Sequence, residues 1–376
     1  AHRPTSIVNV SAMSYGSLSA AAIEALNRGS AIAGCTHNTG EGGVSPFHRK
    51  GGDLIFQMGT AYFGCRNRDG TYDHQKLIAL CQDSAIKAIE IKLSQGAKPG
   101  RGGVLPASKV TPEIAAIRGI PVGQDCISPS GHSAFNDIDS LIDFVEHVAE
   151  GTGLPVGIKS AVGDETFFNS LAARMSKRQA GPDFLSIDGG EGGTGAAPLV
   201  FSDHVSLPFF HGFPRVYRAF AEQNLHQDIV FIGSGRLGFP DRAMMALGLG
   251  CDMIGVAREA MLAIGCIQAQ KCHSGDCPTG VATQNKWLMR GLDPASKSAR
   301  FANYVTVLRK ELLWLARACG VLHPSLVTTQ QLEMLDDRFG GQTLMKTFEY
   351  ADNWGLPNSS DISDLVQVVS PRDKVV

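Results

Sequence analysis

Three cysteines close together in the last third of the chain carry its clearest chemical signal. Five residues separate Cys266 from Cys272, four separate Cys272 from Cys277, and Pro278 follows. Thiolates grouped on one loop before a proline are typical of iron–sulfur ligands, and three of them fit a 3Fe-4S cluster better than a four-cysteine cluster. The spacing leaves open a zinc site completed by His273, and also a loop of purely structural cysteines.

Glycine-rich turns after two consecutive predicted strands indicate a phosphate site. Gly233-Ser234-Gly235 follows one apolar run, and Gly255 and Arg258 lie at the end of the next. In α/β barrels the loops after the seventh and eighth strands often bind phosphate together with a helix N-terminus. A single Gly-Ser-Gly is common in ordinary turns, so the prediction depends on the position after two neighbouring strands.

Two lysines at strand ends predict an anionic ligand. Lys92 and Lys159 each close an apolar run that is typical of a strand. An ammonium at the catalytic face of a barrel is costly unless it meets an anion, such as a phosphate, a carboxylate or the N1/O2 edge of a flavin. Polar glycine-framed loops at 38–43 and 95–100 add a cradle for a substrate at the same face.

These side chains need a scaffold, and the sequence predicts one of alternating strands and helices. Near-continuous apolar runs separated by helical patterns are typical of a parallel sheet covered on both faces. We therefore expect an α/β fold, a (β/α)8 TIM barrel, with a doubly wound open sheet as the alternative. The predicted strands cover 6–12, 31–36 (poorly marked), 88–93, 121–127, 155–160, 184–188, 229–233 and 253–257. The predicted helices cover 19–33, 139–150, 167–179, 241–249 and 296–319, with Ser19, Asp139 and Asp241 as N-caps of three of them.

Two segments fall outside the strand–helix repeat. Residues 35–79 are expected to form a Gly-rich insertion after strand 2, and a Cys-rich loop follows strand 8. The helix beyond that loop carries an apolar face that should pack on the barrel. That face consists of Phe301, Val305, Leu308, Leu312 and Leu315. We expect one domain over 1–320, including the iron–sulfur loop at 266–277, and a C-terminal appendage over 321–376 packed on the barrel.

Composition narrows the class of protein. The 376 residues are 43% hydrophobic with a formal net charge of −2, as in a soluble globular protein, and no basic run favours nucleic acid. No apolar stretch approaches the ~20 residues of a membrane-spanning helix. Nine cysteines without a secretory signal favour a reducing, cytoplasmic compartment. The first residue is Ala1 rather than Met, so an upstream membrane anchor stays open.

Six stretches in order along the chain carry a resemblance to a known family. They are Ser11-Ala12-Met13-Ser14-Tyr15-Gly16, Asn38 to Gly43, Gln95 to Gly100, Asp188-Gly189-Gly190, Gly193-Thr194-Gly195-Ala196, and Cys277 through Gly280-Val281-Ala282-Thr283-Gln284. Over residues 7–320 the chain resembles the FMN-binding synthase domain of glutamate synthase. It resembles even more closely the short stand-alone glutamate synthase-like proteins.

The resemblance implies a (β/α)8 barrel that binds FMN, and a 3Fe-4S cluster on the three cysteines named above. It implies that residues 12–14 line the flavin ring, with Gln57 nearby and Lys159 on its N1/O2 side, and that Gly190, Gly235 and Gly255 with their neighbours hold the ribityl phosphate. Together with the strand-end residues above, the predicted cofactor-binding residues are Ala12, Met13, Ser14, Gln57, Lys92, Lys159, Asp188, Gly189, Gly190, Gly233, Ser234, Gly235, Gly255 and Arg258.

The resemblance also implies a substrate site in which Gln95, Lys98 and Arg118 hold 2-oxoglutarate. Glu41 matches an acid near the reacting carbon. Two cations around a dicarboxylate are sensible, because arginine binds one carboxylate with paired hydrogen bonds and lysine neutralises the other. The chain departs from the large enzymes at Arg101, where they carry Glu, and at 128–133, where Ser-Pro-Ser-Gly-His-Ser with His132 replaces Pro-Pro-Pro-His-His-Asp.

The implied activity is that of an oxidoreductase acting on CH-NH2 groups: reductive amination of a 2-oxo acid, with electrons passed through the cluster. Because both departures lie at the substrate end, an FMN oxidoreductase for a different amino or keto acid stays open, as does an electron-relay subunit. No glutaminase or separate dinucleotide-binding domain is visible in the sequence. We therefore expect free ammonia or an ammonia-supplying subunit, and an electron donor such as ferredoxin or a flavoprotein.

Overall fold

Eight parallel strands close into a barrel in the computed structural model, which describes residues 2–193, 197–198, 200–202, 204–338 and 340–369. In chain order the strands are β1 (Val8–Val10), β2 (His37–Asn38), β3 (Leu54–Met58), β4 (Ile86–Lys92), β5 (Val104–Leu105), β6 (Cys126–Ile127), β7 (Val156–Ala161), β8 (Phe184–Asp188), β9 (Val230–Ser234), β10 (Met253–Val256), β11 (Glu333–Leu335) and β12 (Gly341–Thr343). The order around the barrel is β1-β10-β9-β8-β7-β4-β3-β2, and β5-β6 and β11-β12 are separate antiparallel pairs. The predicted TIM barrel is confirmed.

Helices surround the barrel. They are α1 (Ala20–Ala33), α2 (His74–Cys81), α3 (Pro112–Arg118), α4 (Ile138–Thr152), α5 (Thr166–Arg178), α6 (Phe209–Ala221), α7 (Pro240–Gly248), α8 (Arg258–Ile264), α9 (Lys286–Met289), α10 (Pro294–Ala318), α11 (Leu344–Thr347) and α12 (Ser359–Val369). Short 3-10 helices lie at Ala107–Lys109 and Pro324–Leu326. Within the described residues, none of these helices has the length and apolar character needed to cross a membrane.

Two of the predicted strands are wrong, and so is the predicted insertion. Residues 31–33 end α1, and Gly34 terminates that helix in the left-handed conformation, so β2 begins only at His37. The supposed insertion at 35–79 contains both β2 and β3, because the fully buried run Leu54–Met58 completes the barrel. The run at 121–127 lies outside the barrel, since Ile127 is 70% exposed and pairs only with Val104.

The long departure from the barrel follows β4 instead. Residues 93–137 leave the sheet after Lys92, form the β5-β6 pair and α3, and rejoin the fold at α4. We call this stretch the excursion. It carries Lys98 and Arg118, two of the predicted substrate residues, so the position of these cations depends on a segment outside the barrel sheet.

Of the three predicted helix N-caps, one is correct and two are wrong. Ser19 caps α1, as predicted, by accepting a hydrogen bond from the Ala22 N–H. The cap of α4 is Asp137 rather than Asp139, because Asp137 and Ser140 exchange side-chain and backbone hydrogen bonds in a capping box. Asp241 lies in the first turn of α7, after a proline at the first helical position.

The apolar face of α10 packs mainly on α1, α7 and α8, the outer layer of the barrel. Phe301, Val305, Leu308 and Leu312 are buried, whereas Leu315 is 37% exposed and ends the face. Gly29 of α1 makes the close approach possible, since a Cβ there would lie 2.7 Å from the Phe301 ring. The predicted helix and most of its packing face are therefore correct.

The segment after residue 320 contacts α6 and α7. Tyr350 stacks on Tyr217 with 5.2 Å between ring centroids and donates to the Leu249 carbonyl at 3.0 Å. The Gly355 N–H donates to the Tyr217 hydroxyl at 2.8 Å. The division of the chain into 1–320 and 321–376 stays a prediction, and residues 370–376 lie outside the described part.

Candidate active site

A cavity of about 300 Å³ lies at the carboxyl ends of the barrel strands. This is the edge at which barrel enzymes place their reacting groups, and the volume is within the range of small-molecule sites. The predicted site residues that line it are Ala12, Met13, Ser14, Glu41, Gln57, Lys92, Gln95, Lys98, Arg118, Lys159, Asp188, Ser234, Gly235, Gly255, Arg258 and Cys272. The fold therefore brings together residues that are up to 260 positions apart in the chain.

Three predicted glycines lie behind the cavity lining. The Gly189 N–H donates to the Ser234 carbonyl and the Gly190 N–H to the Leu207 carbonyl, so both amides are already paired within the protein. A Cβ at Gly233 would lie 2.7 Å from the ring of Phe209. These glycines allow close packing of the wall. Thr194, Gly195 and Ala196, quoted above in one of the stretches, lie outside the described residues.

Lys159 and Asp188 form a buried ion pair in the cavity. Lys159 Nζ lies 3.6 Å from Asp188 Oδ2, and Asp188 also accepts hydrogen bonds from the Gly96 N–H and the Ser234 hydroxyl. Burial alone would lower the pKa of Lys159, but Asp188 and Glu90 outweigh it and raise that pKa above its ordinary value. Lys159 is therefore a permanent cation at this point of the cavity.

Glu90 is a part of the site that the sequence analysis missed. Its carboxylate is 3% exposed and accepts hydrogen bonds from Asn38 Nδ2 at 2.8 Å, from Gln57 Nε2 at 2.6 Å and from the Ser186 hydroxyl. It thereby joins β4 to β2, β3 and β8 and orients the amide of Gln57, which lines the cavity. The available signal in the sequence was a carboxylate between two isoleucines, Ile89 and Ile91, in the middle of a predicted strand.

His48 fixes the backbone of Met13 in the cavity wall. Its Nδ1 accepts a hydrogen bond from the Ser45 N–H at 3.1 Å, and its Nε2 lies 2.9 Å from the Met13 carbonyl oxygen. A carbonyl only accepts, so Nε2 carries the hydrogen and the ring is neutral. Burial lowers the pKa of His48 to about 4.

This neutral histidine predicts a loss of stability in acid. The folded pKa lies below the unfolded value of about 6.5, so the unfolded chain binds more protons as the pH falls between those values. The contribution of the neutral His48 to the free energy of unfolding is fully present above pH 6.5. It decreases toward pH 4, by up to about 3 kcal/mol. Urea unfolding from pH 7 to pH 5 measures it. His48→Gln should reduce the pH dependence, exposed His211→Gln should not, and equal pH profiles for all three proteins would contradict it.

Glu41 lies among cations in the part of the cavity predicted to bind substrate. Lys92 Nζ is 3.0 Å from Glu41 Oε1 and donates to Gln95 Oε1 at 2.9 Å, so this predicted cofactor residue contacts two predicted substrate residues. Burial would raise the pKa of Glu41, but Lys92, Lys98 and Arg118 hold it below its ordinary value. Three cations of the cavity lining therefore act on this one carboxylate.

Arg118 is buried at the end of α3, on the excursion. It is 5% exposed, donates to the Tyr15 carbonyl at 3.1 Å, and lies over the ring of Phe63 at 5.2 Å from the ring centroid. Its Nε has no hydrogen-bond partner among the described residues. A Cβ at Gly42 would lie 2.9 Å from its guanidinium, so glycine leaves room for it. A buried guanidinium with unused donors favours an anionic ligand.

The two departures noted in the sequence have different positions. His132 lies outside the cavity lining, with Nε2 2.9 Å from the Lys92 carbonyl, Nδ1 3.1 Å from the Tyr62 hydroxyl, and its ring stacked on Phe135. Its contacts therefore hold the backbone that carries Lys92. Arg101 is exposed, but its charge acts on Lys98, whose pKa is lowered first by burial and then by Lys92. Ser128 does line the cavity.

The cysteine loop connects α8 to α9 beside the cavity. Cys272 lines the cavity, whereas Cys266 and Cys277 lie outside its lining. Burial raises the pKa of Cys272, and charges on Cys266 and Cys277 add to the effect, so the three thiols are near enough to interact. Burial opposes ionisation of Cys277 too, but hydrogen bonds led by the Ala282 N–H lower its pKa. Within the described ranges, no three His, Cys, Asp or Glu side chains converge to hold a single metal ion.

Lys109 lies between the cavity and the cysteine loop. Its side chain is almost fully buried, and its ammonium donates to the carbonyls of Cys272 at 2.6 Å and Ala282 at 3.2 Å. Lys109 also lines the cavity. No strand or helix pattern in the sequence predicts the direction of this side chain, because Lys109 ends a 3-10 helix of only three residues.

The chain belongs to a known class of protein. The conserved region in glutamate synthase matches residues 3–322, so the chain belongs to the glutamate synthase family. Among its relatives, the glutamate synthase large subunit-like protein YerD of Bacillus subtilis is 41% identical over 85% of this chain and 61% of its own length. The archaeal glutamate synthase (NADPH) of Methanocaldococcus jannaschii is 35% identical over 84% of this chain and 59% of its own length. The chain thus spans about 60% of these relatives.

Solved structures are similar at the level of the fold. A mutant mandelate oxidase with a monooxide FMN adduct superimposes with a TM-score of 0.51 at 15% identity. The match covers 91% of this chain and 81% of the oxidase. At this identity the similarity describes the barrel alone, and the roles of individual site residues stay predictions.

Proposed function

We propose that the chain is an FMN- and iron–sulfur-dependent oxidoreductase that reductively aminates a 2-oxo acid, converting 2-oxoglutarate to glutamate with electrons passed through the cluster. The observation that carries this proposal is the excess of positive charge around Glu41 in the cavity. A 2-oxo dicarboxylate has two negative charges, which Lys98 and Arg118 would neutralise while Lys92 pairs with Glu41. Membership in the glutamate synthase family supports the same activity.

FMN would occupy the side of the cavity formed by β7 to β10. The residues that would hold it are Lys159 near the ring and Ser234, Gly235 and Arg258 near the phosphate. Gly235 lines the cavity at φ +140°, where a side chain would be strained, and among the described residues the Arg258 guanidinium has only a 3.5 Å contact to the Glu191 carbonyl. Bound FMN would supply hydride transfer, while the protein supplies binding, orientation and electrostatics.

The protein residues would prepare the keto acid for reduction. Gln95, Lys98 and Arg118 would orient the two carboxylates, and the ionised Glu41 could accept the proton that ammonium must lose before its nitrogen attacks the keto carbon. Glu41 would return that proton to the departing hydroxyl so that water leaves, and the carboxylate restored in this way would stabilise the positive charge of the imine. Lys92 would keep Glu41 ionised and in place through their 3.0 Å contact.

The iron–sulfur part of the proposal places a 3Fe-4S cluster on Cys266, Cys272 and Cys277. The three cysteines would hold the cluster as thiolates, and the cluster would supply one-electron transfer. Support comes from the hydrogen bonds to the Cys277 sulfur, which favour a thiolate, and from the nearby Lys109 ammonium. The cluster would carry single electrons to the flavin.

Replacing Cys272 with serine should abolish iron binding while leaving FMN content unchanged, because a serine hydroxyl is a poor ligand for iron in a cluster. Iron and acid-labile sulfide per FMN measure the result after anaerobic reconstitution. Cys319→Ser, outside the loop, is the matched control and should keep full iron. Iron retained at wild-type level in Cys272→Ser would show that the assignment is wrong.

An anaerobic titration tests the activity itself. Protein reconstituted with FMN should be yellow-brown, and 2-oxoglutarate should perturb the flavin bands at micromolar to millimolar concentration. With ammonium chloride and a chemical reductant it should then form glutamate, which chromatography detects. Protein that stays colourless after reconstitution would exclude the flavin. Absence of any perturbation at millimolar 2-oxoglutarate would exclude this substrate.

A second candidate keeps the cofactors and changes the keto acid. The observations that favour it are Ser128 in the cavity lining and the charge of Arg101 acting on Lys98. The same titration with oxaloacetate and with monocarboxylic 2-oxo acids separates the two, since a preferred ligand other than 2-oxoglutarate supports this candidate. An electron-relay subunit would show no ligand response, and its electron transfer would survive Lys98→Ala.

The remaining partners belong to the proposal through the family. We propose an electron donor such as ferredoxin or a flavoprotein, and ammonia that is free or delivered by a separate subunit. One relative is named as an archaeal glutamate synthase (NADPH). Reduction of the bound flavin by candidate donors in stopped-flow experiments distinguishes them.

A further inference from the structure

Lys109 is a buried cation that has no carboxylate at ion-pair distance among the described residues, and Asp276 of the cysteine loop acts on it only from farther away. Lys92 and Lys159 each lie beside an acid, at 3.0 and 3.6 Å. The Lys109 ammonium, on a side chain that is 3% exposed, donates instead to two backbone carbonyls. Carbonyl oxygens solvate an ammonium but do not cancel its charge, and burying an unpaired charge is costly. The position therefore favours a further anion near the ammonium.

The position of Lys109 indicates which anion this is. Its two acceptors, Cys272 and Ala282, lie on either side of Cys277 in the chain, so one ammonium ties together both flanks of the cysteine loop. Gly275 allows the loop to wrap closely around the lysine, since a Cβ there would lie 3.3 Å from Lys109 Cε. A 3Fe-4S cluster held by three thiolates is negatively charged in both of its oxidation states.

We propose that Lys109 is the positioning residue that supplies the counter-charge for this cluster and raises its reduction potential. The inference rests on the proposed function, because it requires the cluster. Reduction adds one negative charge, so a fixed ammonium beside the loop stabilises the reduced form more than the oxidised form. Because Lys109 and Cys272 both line the cavity, this charge lies where the cluster would face the flavin.

Three substitutions separate charge from hydrogen bonding. Lys109→Arg keeps the charge, Lys109→Gln keeps a donor without charge, and Lys109→Met removes both. Each full-length protein is reconstituted with FMN, iron and sulfide, and the cluster potential is measured by a redox titration followed by electron paramagnetic resonance. Lys271→Met is the control, since Lys271 is an exposed lysine next to Cys272 and its charge is screened by water.

Loss of the charge should weaken reduction of the cluster at least tenfold, which is 59 mV more negative for one electron. We expect this shift in the Gln and Met variants, a change of less than threefold in the Arg variant and in Lys271→Met, and unchanged FMN content throughout. If Gln and Met variants fail to keep iron while Arg keeps it, charge is again the property required, and the inference stands.

Two results would overturn the inference. A wild-type potential in Lys109→Gln would show that the charge has no effect, even though the cluster is present. Equal loss of iron from the Arg, Gln and Met variants would show that the shape of lysine matters rather than its charge. Wild-type protein that binds no iron would instead refute the cluster of the proposed function, and the inference with it, while FMN binding and glutamate formation are tested separately.

Discussion

Glu41→Gln should lower kcat for glutamate formation by about 10²- to 10⁴-fold, the usual range for loss of a positioned acid or base. The amide has the same shape, so the cavity volume is preserved, but it cannot accept the ammonium proton or stabilise a cationic imine. It also leaves Lys92 without its carboxylate, 3.0 Å away in the native protein. Turnover is measured at saturating 2-oxoglutarate and ammonium, with FMN content as the check on folding.

The control for Glu41→Gln is Glu150→Gln, at an exposed position of α4. It should retain wild-type turnover. A further readout is the affinity for 2-oxoglutarate, which should rise or stay constant in Glu41→Gln because a repelling negative charge has been removed. Turnover within threefold of wild type would refute a catalytic role for Glu41.

Arg118→Lys should weaken 2-oxoglutarate binding by about 10- to 100-fold, equivalent to one charged hydrogen bond of about 1.5–3 kcal/mol. Lysine keeps the charge but loses the planar fork that binds a carboxylate with two hydrogen bonds. Because the lysine side chain is shorter, it also loses the contacts of Arg118 with the Tyr15 carbonyl and the Phe63 ring. Flavin perturbation on titration measures the affinity.

The selectivity of Arg118→Lys distinguishes substrate binding from a structural effect. Discrimination between 2-oxoglutarate and a monocarboxylic 2-oxo acid should shrink, because one carboxylate has lost its partner. A general disturbance of the cavity would weaken both ligands equally. Exposed Arg68→Lys serves as the control and should leave both affinities unchanged.

The barrel was accessible from the sequence because strands buried on both faces leave near-continuous apolar runs. β8 at Phe184–Asp188 has the predicted bounds for this reason. β2 was not accessible, since a two-residue strand at His37–Asn38 is too short to form a pattern. The apolar run at 121–127 misled the prediction because its exposed Val122 and Ile127 serve the excursion rather than a core.

The cavity lining was accessible only in part, and mainly through the family resemblance. Residues at strand ends, such as Lys159 and Ser234, can be placed from the barrel pattern alone, since carboxyl ends of parallel strands share one face. Glu90, His48 and Lys109 act through partners 33 to 173 positions away in the chain, and no local pattern encodes such distances. Their contacts follow from tertiary structure.

The excursion at 93–137 allows the proposed substrate residues to change independently of the barrel strands. It carries Lys98, Lys109 and Arg118, while the side of the cavity proposed to hold FMN is built on the barrel strands β7 to β10. Under the proposed function, exchange of this one segment between homologous proteins should therefore change the choice of keto acid. The barrel strands proposed to hold FMN would stay unchanged. Because Lys109 also reaches the cysteine loop, such a graft would have to retain that lysine. Such a graft would also have to preserve the hydrogen bonds of Gly96 to Asp188 and of His132 to Tyr62, which join the segment to the rest of the protein.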